Sequence, residues 1–342
     1  MILSIMSMLM FVMCITTSVA YLTVAERKTL AYMQRRLGPN AVGYYGLLMA
    51  FADALKLLLK EMVMPRESNF AIMVLSPLMA LFSALLGWAV VPFGPSITMG
   101  DMEYGLTYAL AISSIGVFGN LLVGWASNSK YALLGSIRST AQLMSYELVL
   151  TTIVTIVLMF VSNLNMTQMM ESQRSVWFVV PLLPILVIFY IASVAETNRP
   201  PFDLVEAESE TVSGHMTELS ASPFVLFFLS EYSNIMLICC TNITLFLGGY
   251  TNFHFFTNLF SVEILSNSIF LMLMEGTIYG ASTGIKANIL MFTFMWVRAA
   301  FPRIRFDQLI NFCWVNLLPT LFGMVILVPC ILAGFDGLPT TI

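Results

Sequence analysis

Charge is scarce in this chain. Only 10% of its 342 residues are Asp, Glu, Lys or Arg, against about 25% in ordinary soluble domains. Mean hydropathy is +0.87, so too little polar surface exists to clothe a water-soluble fold. Cysteine is thin as well. Cys14, Cys239, Cys240, Cys313 and Cys330 lie mostly in apolar runs without C-x-x-C spacing, which speaks against both a disulfide framework and a thiolate metal site. Two isolated histidines, His215 and His254, are too few for haem or zinc ligation. No G-x-G-x-x-G and no Walker pattern is present. By itself the chain is not expected to hold a flavin, an iron–sulfur cluster, a metal or a nucleotide, and nothing in it points to nucleic acid.

What is abundant is apolar length. Hydrophobic residues make up 58% of the chain, and runs near the ~20 residues needed to cross a bilayer recur throughout. The length rule predicts about eight spans, at 2–25, 70–92, 104–126, 137–160, 176–195, 222–248, 282–301 and 310–333. The seventh is the weakest, because Lys286 lies inside it. The first has no basic residue before it and no small-residue cleavage site after it, so it reads as a retained helix. The expected fold is all-α: a polytopic transmembrane bundle forming a single integral membrane domain over 1–342, with a short amphipathic surface helix.

With eight spans, thirteen of the fifteen Lys and Arg residues fall on one face, leaving Arg174 and Lys286 on the other. Removing the seventh span would spoil that bias, which supports keeping it. The loop 196–221 lies on the base-rich face too. Within it, residues 196–218 carry six acids (Glu196, Asp203, Glu206, Glu208, Glu210 and Glu218) against one base, Arg199. That balance of −5 compares with −4 for the whole chain. A solvated loop explains it at the plainest level; crowded carboxylates beside membrane helices also suit partners or protons. Gathering nearly all ionisable chemistry on one side suggests a large partner docked there.

Three more polar islands stand out. ERKTLAYMQRRLGPNAVGYYG (26–46) leads into a stretch where Asp53, Lys56 and Lys60 share one narrow helical face among leucines, the pattern of a helix lying flat on lipid. Arg27, Arg35 and Arg36 read most plainly as topogenic charges, yet Gly38-Pro39 calls for a turn that would fold them back over the helix ends. SNSKYALLGSIRSTAQLMSYEL (127–148) carries Glu147 about ten residues into span four, and WVRAAFPRIRFDQL spans 296–309. Glu231 lies about nine residues into span six. A charged carboxylate at that depth costs ~2.5–3.5 kcal/mol on insertion scales, so it is usually paired, protonated or facing water. Glu147 and Glu231 are therefore either structural polar groups or proton carriers.

ERKTLAYMQRRLGPN, GSIRSTAQLMSYEL, AETNRPPFDLVEAESE and VRAAFPRIRFDQL, in this order, resemble the subunit 1 family of respiratory complex I, NADH:ubiquinone oxidoreductase, over nearly the full chain. The resemblance implies a membrane subunit at the heel of an L-shaped complex. There it helps build a quinone chamber and begins a line of buried charge leading to proton-pumping subunits. Carried over by motif, Arg27, Arg36, Asp53 and Lys56 would lie near the quinone entrance, within a region 26–66, and Arg298 near the chamber wall. Arg199, Asp203, Glu206, Glu208 and Glu210 would line the junction with the peripheral arm. Glu147, Glu196 and Glu231, with Glu206, Glu208 and Glu210, would form the proton path. Ubiquinone is the implied substrate, and FMN and iron–sulfur clusters belong to partner subunits. Two departures are local. Residues 250–281 make a longer connection than the family pattern, with Glu263, Glu275 and glycines at 276, 280 and 284 whose spacing suits close helix packing; position 200 is Pro where a small residue such as Ala is expected.

The residues support the same chemistry independently. A quinone has a tail that partitions into lipid and a head that must reach an electron donor. A lateral opening between the first span, the amphipathic stretch and a neighbouring helix would admit the tail while arginines and acids solvate the head. Two other readings use the same features: an autonomous proton- or ion-coupled transporter, and the membrane anchor of a hydrogenase-like complex. Copurifying flavin, clusters and NADH oxidation favour the first reading, a solitary active chain the second and nickel the third. Twenty-five methionines with few lysines fit an organelle-encoded protein of the mitochondrial inner membrane, its base-rich face toward the matrix, better than a bacterial one.

Overall fold

The computed structural model describes residues 2–95, 97–204, 212–251 and 269–335. Its regular elements are helices: α1 (Ile2–Met33), α2 (Met49–Leu59), α3 (Phe70–Gly87), α4 (Gly105–Ala126), α5 (Lys130–Val161), α6 (Met166–Ser172), α7 (Leu183–Glu196), α8 (Ser222–Phe246), α9 (Ile269–Ala300), α10 (Phe306–Asn311) and α11 (Leu318–Gly334). A π-helical stretch, Phe312–Leu317, joins the last two. The polytopic all-α bundle expected from the sequence is what forms.

Among the described residues, six helices are long and apolar enough to cross a bilayer: Ile5–Met33, Phe70–Val90, Gly105–Ala126, Lys130–Val161, Ser222–Phe246 and Phe306–Gly334. The other two predicted spans behave differently. The fifth contracts to α7, whose 14 residues reach about 21 Å at 1.5 Å per residue, short of a ~30 Å hydrocarbon core. The seventh is α9, 32 residues long, in which Lys286 dilutes the apolar run. Because α9 begins at Ile269, much of the supposed long connection at 250–281 is helix. Residues 252–268, with Glu263, lie outside the described residues.

Local chemistry sets the helix ends. The side chains of Ser129 and Asn165 accept the backbone N–H groups of Ala132 and Thr167 at the starts of α5 and α6, satisfying donors that have no partner inside the helix. Prolines occupy the first turns of α7, α8 and α11, where a missing N–H does no harm. The chain turns sharply after α1, with Arg35 at φ 54. A methyl group added at Gly38 would sit 3.1 Å from the Lys28 Cα and 3.4 Å from the Ala31 side chain. The Gly38-Pro39 segment therefore does fold back onto α1.

The centre of the bundle is α5 and α8, each with 44% of its apolar window buried, against 17% in α1 and α4. Helix α3 packs on α4 and α8, and α5 on α4 and α7. Small residues allow the closest approach: a Cβ at Gly119 would lie 3.1 Å from the Ala80 Cβ, and one at Gly116 would lie 3.0 Å from the Ser83 Oγ. The glycine row at 276, 280 and 284 is expected to pack in this way, yet the described residues supply no close helix partner for it. Among the described residues, nothing lies within 4 Å of a Cβ at Gly280 or Gly284, and only Ile97 approaches Gly276. Four-residue spacing marked a thin helix face without saying what covers it.

Candidate functional site

The end of α1 carries Glu26, only 6% exposed although charged. Three elements converge on it. Arg199, just beyond α7, donates to its Oε1 at 3.0 Å; the Tyr232 hydroxyl of α8 donates to Oε2 at 2.6 Å; Arg298 of α9 also donates to Oε1. The Arg199 guanidinium lies over the Tyr232 ring at 4.2 Å. Burial opposes the Arg199 charge, but the electrostatic attraction of Tyr232 and Glu26 more than offsets it, and its pKa is raised. A cavity of about 20 Å³ adjoins the cluster, lined by these four residues and by apolar groups such as Leu22, Ile235 and Met295. The sequence reading named Arg199 and Arg298 but not the carboxylate that joins them. Its only signal was an acid at the end of span one, in the motif beginning at Glu26.

Beside this cluster Arg27 pairs with Asp53 at 2.6 Å and ties α1 to α2. None of α2 is buried, as an amphipathic helix on a lipid surface requires. Lys56 is exposed on it. The Arg36 Nε donates to Gln34 at 2.7 Å on the exposed turn. Asp203 is buried and accepts from Arg303 at 3.2 Å. The Ile304 N–H reaches the Pro201 carbonyl nearby, so the start of the acidic segment is fastened to the segment after α9. The Pro200–Pro201 peptide bond is cis. Gln142 fixes the same turn from α5, donating to the carbonyls of Ala195 at 2.7 Å and Phe202 at 3.0 Å. Sequence reasoning passed over Gln142, a neutral residue inside an otherwise helical motif. Glu206, Glu208 and Glu210 fall outside the described residues.

A second cavity, of about 140 Å³, runs between α3, α4, α5, α7 and α8. Glu147, Glu196 and Glu231 all line it, with Ser113, Asn120, Asn198, Asn234 and Thr241. Three acids far apart in sequence thus face one chamber. The Ser113 hydroxyl lies 3.4 Å from the Glu147 Oε1. The Glu196 Oε2 and Asn198 Oδ1 are buried with no hydrogen-bond partner among the described residues, a cost that water removes where a polar cavity has room for it. At roughly 10–15 Å³ per water centre, this volume admits on the order of ten. The two cavities share a wall: Asn198 and Glu231 face the larger, while their neighbours Arg199 and Tyr232 face the smaller.

Near the end of the acidic segment lies a short helical turn, Gly214–Met216. A Cβ at Gly135 of α5 would stand 2.7 Å from the Gly214 Cα, so only glycine lets this turn press against the helix. Ser220 secures its far side, donating to the Val63 carbonyl at 2.7 Å and accepting the Val63 N–H at 2.9 Å. His215 is 1% exposed, meets Phe227 edge to face, and has no hydrogen-bond partner for either ring nitrogen among the described residues. Burial pushes its pKa from 6.5 down to about 4. Below pH 6.5 the unfolded chain takes up a proton that the folded chain refuses until about pH 4, so folding stability falls as pH drops through that window. The loss is on the order of 3 kcal/mol when complete. The difference in melting temperature between pH 7.5 and pH 5 is expected to shrink in His215→Leu; an unchanged difference would show that His215 is not the group responsible.

No group of three His, Cys, Asp or Glu among the described residues is placed to hold a metal ion. The family described as NADH dehydrogenase matches residues 6–329. The chain is 61% identical over 342 residues to NADH-ubiquinone oxidoreductase chain 1 of Yarrowia lipolytica, covering all of both proteins. The protein of the same name from Podospora anserina is 53% identical over 347 aligned positions, 95% of this chain and 94% of that protein. The one from Chondrus crispus is 45% identical over 322, 94% of each.

Proposed function

This chain belongs to the NADH dehydrogenase family, and from that premise we propose that it forms the membrane part of a ubiquinone-reducing chamber and the start of a proton path leading from it. The supporting observation is the pair of adjoining cavities, one edged by a buried ion cluster and the other by three carboxylates. Ubiquinone enters from the bilayer beside α1 and α2. Arg27, Asp53 and Lys56 stand at that entrance, and Arg199, Arg298 and Tyr232 offer donors to a polar head further in. Reduction to the quinol consumes two electrons and two protons. The electrons come from partner subunits carrying FMN and iron–sulfur clusters, since the sequence supplies no ligand set for a redox centre.

The chain's own work is binding and charge. Negative charge arriving on the quinone draws on the cationic cluster around Glu26, and the change in field is felt across the shared wall by Glu231, which interacts electrostatically with Arg199. Glu147 and Glu196, in the same cavity, then exchange protons with Glu231 through water. The acidic segment, including Glu206, Glu208 and Glu210, faces the peripheral arm, and adjacent membrane-arm subunits receive the charge beyond Glu147. The base-rich face is the matrix side of the mitochondrial inner membrane.

A photoreactive quinone analogue bound to the intact complex is expected to label the segment from Arg27 to Lys60, with labelling suppressed by excess quinone. Labelling confined to 250–281 would place the opening elsewhere and overturn this assignment.

A further inference from the structure

The face opposite the acidic segment is poor in bases, holding only Arg174 and Lys286 by the sequence topology. Arg174 forms an exposed pair with Glu171 at 3.2 Å. Lys286 is different: it projects from α9 into the protein. Its ammonium donates to the carbonyls of Leu247 at 2.8 Å and Gly249 at 2.6 Å, and lies 5.0 Å from the centre of the Trp177 ring. Carbonyls and an aromatic face favour the cation, and both occur where the dipole of α8 turns negative. The same helix end is also capped without charge. The Gln173 amide donates to Thr244 at 2.8 Å and Leu245 at 3.3 Å, and accepts the Gly248 N–H at 2.9 Å.

A neutral amide thus already satisfies part of this terminus, and a second neutral group would avoid the cost of placing an ammonium in an apolar span. The position of the charge distinguishes it. Thr241 and Leu245, on the last two turns of α8, line the cavity that holds Glu147, Glu196 and Glu231, and Lys286 is fixed to the carbonyls that follow them. It therefore stands beyond the base-poor end of the acid-lined chamber.

We propose that Lys286 is an electrostatic plug that stops protons in the acid-lined cavity from escaping to the base-poor face. A fixed cation at a pore end excludes protons without blocking it sterically. This rests on the reading of the cavity as a proton-handling chamber, and the two are separable by experiment.

The intact complex is reconstituted into liposomes with an internal pH indicator, and the decay of an imposed pH gradient is followed without NADH. Amounts are normalised by NADH oxidation with a soluble artificial acceptor. Lys286→Gln is expected to speed the complex-dependent decay about tenfold. Lys286→Arg, which keeps the charge, and Gln173→Leu, which removes only the neutral cap, should match the unaltered complex. Unchanged decay in Lys286→Gln overturns the plug. Equal acceleration in Gln173→Leu and Lys286→Gln overturns it too, because loosened packing then suffices. Adding Glu147→Gln to Lys286→Gln tests the underlying reading. Decay that returns to the unaltered rate supports passage by way of the acids, whereas a persistent leak rejects the acids as its route while leaving the charge effect of Lys286 in place.

Discussion

Glu26→Gln is expected to cut quinone-linked NADH oxidation by at least a hundredfold in an otherwise assembled complex. The carboxylate holds Arg199, Arg298 and Tyr232 together from three other parts of the chain. Glutamine keeps its shape but leaves two guanidinium groups facing a neutral amide. Removing one partner of a buried ion pair typically costs about 3–5 kcal/mol, because the remaining charge stays desolvated. The cluster would relieve that cost by opening toward solvent, which in the proposed chamber moves Arg199 and Arg298 away from the quinone head. Turnover with quinone should fall and KM for quinone should rise. NADH oxidation by a soluble acceptor, which needs only the peripheral arm, should persist. Quinone kinetics unchanged in Glu26→Gln would remove Glu26 from the chamber and leave it a joint between helices.

The second large effect concerns Glu147 and Glu231. Both face the 140 Å³ cavity, and neither lies on the surface that meets an electron donor in the proposed arrangement. Glutamine at either position preserves size and most hydrogen bonding while removing the exchangeable proton. If the acids relay protonation, each variant assembles yet loses quinone-linked turnover and proton translocation together, by roughly tenfold to thousandfold. Artificial-acceptor activity again persists. If they are only polar glue, glutamine preserves pumping and leucine disrupts assembly. Normal proton-coupled turnover in both glutamine variants would sink the relay.

How much of this could be read from the chain alone depended on the range of the interaction concerned. Apolar run length and the bias of basic residues are local or additive, so the helical bundle followed directly. Span five was harder to delimit, because an apolar stretch of span length need not be helical throughout: α7 starts at Leu183, next to Pro184. Glu147 and Glu231 stood out because carboxylates are rare within spans. Their meeting with Glu196 depends on how five helices pack, which no sequence spacing encodes. Glu26 was missed for a related reason. At a helix end it looks like one more interfacial charge, and only the return of α8 and α9 past α1 buries it. Gln142, which fixes the turn after α7 through two backbone carbonyls, gave no compositional signal. The glycine row of α9 shows the opposite limit, since small residues show that an approach is sterically possible and not which element makes it.

The wall between the two cavities has a thermodynamic consequence of its own. Asn198 and Arg199 are consecutive, as are Glu231 and Tyr232, and each pair divides its side chains between the chambers. Consecutive Cα atoms are about 3.8 Å apart, so an occupant of one chamber lies within a few side-chain lengths of the acid in the other. At ~8 Å and an effective dielectric constant of ~20, a unit charge on one side shifts the energy of a charge on the other by about 2 kcal/mol. Linkage makes such a coupling reciprocal. If an anionic quinone raises the proton affinity of Glu231 by some factor, protonated Glu231 raises the affinity for that quinone by the same factor. In the proposed arrangement a partition this thin has no preferred direction, so a strong opposing proton gradient would act backward on quinone occupancy, and the same wall would serve an enzyme driven in reverse.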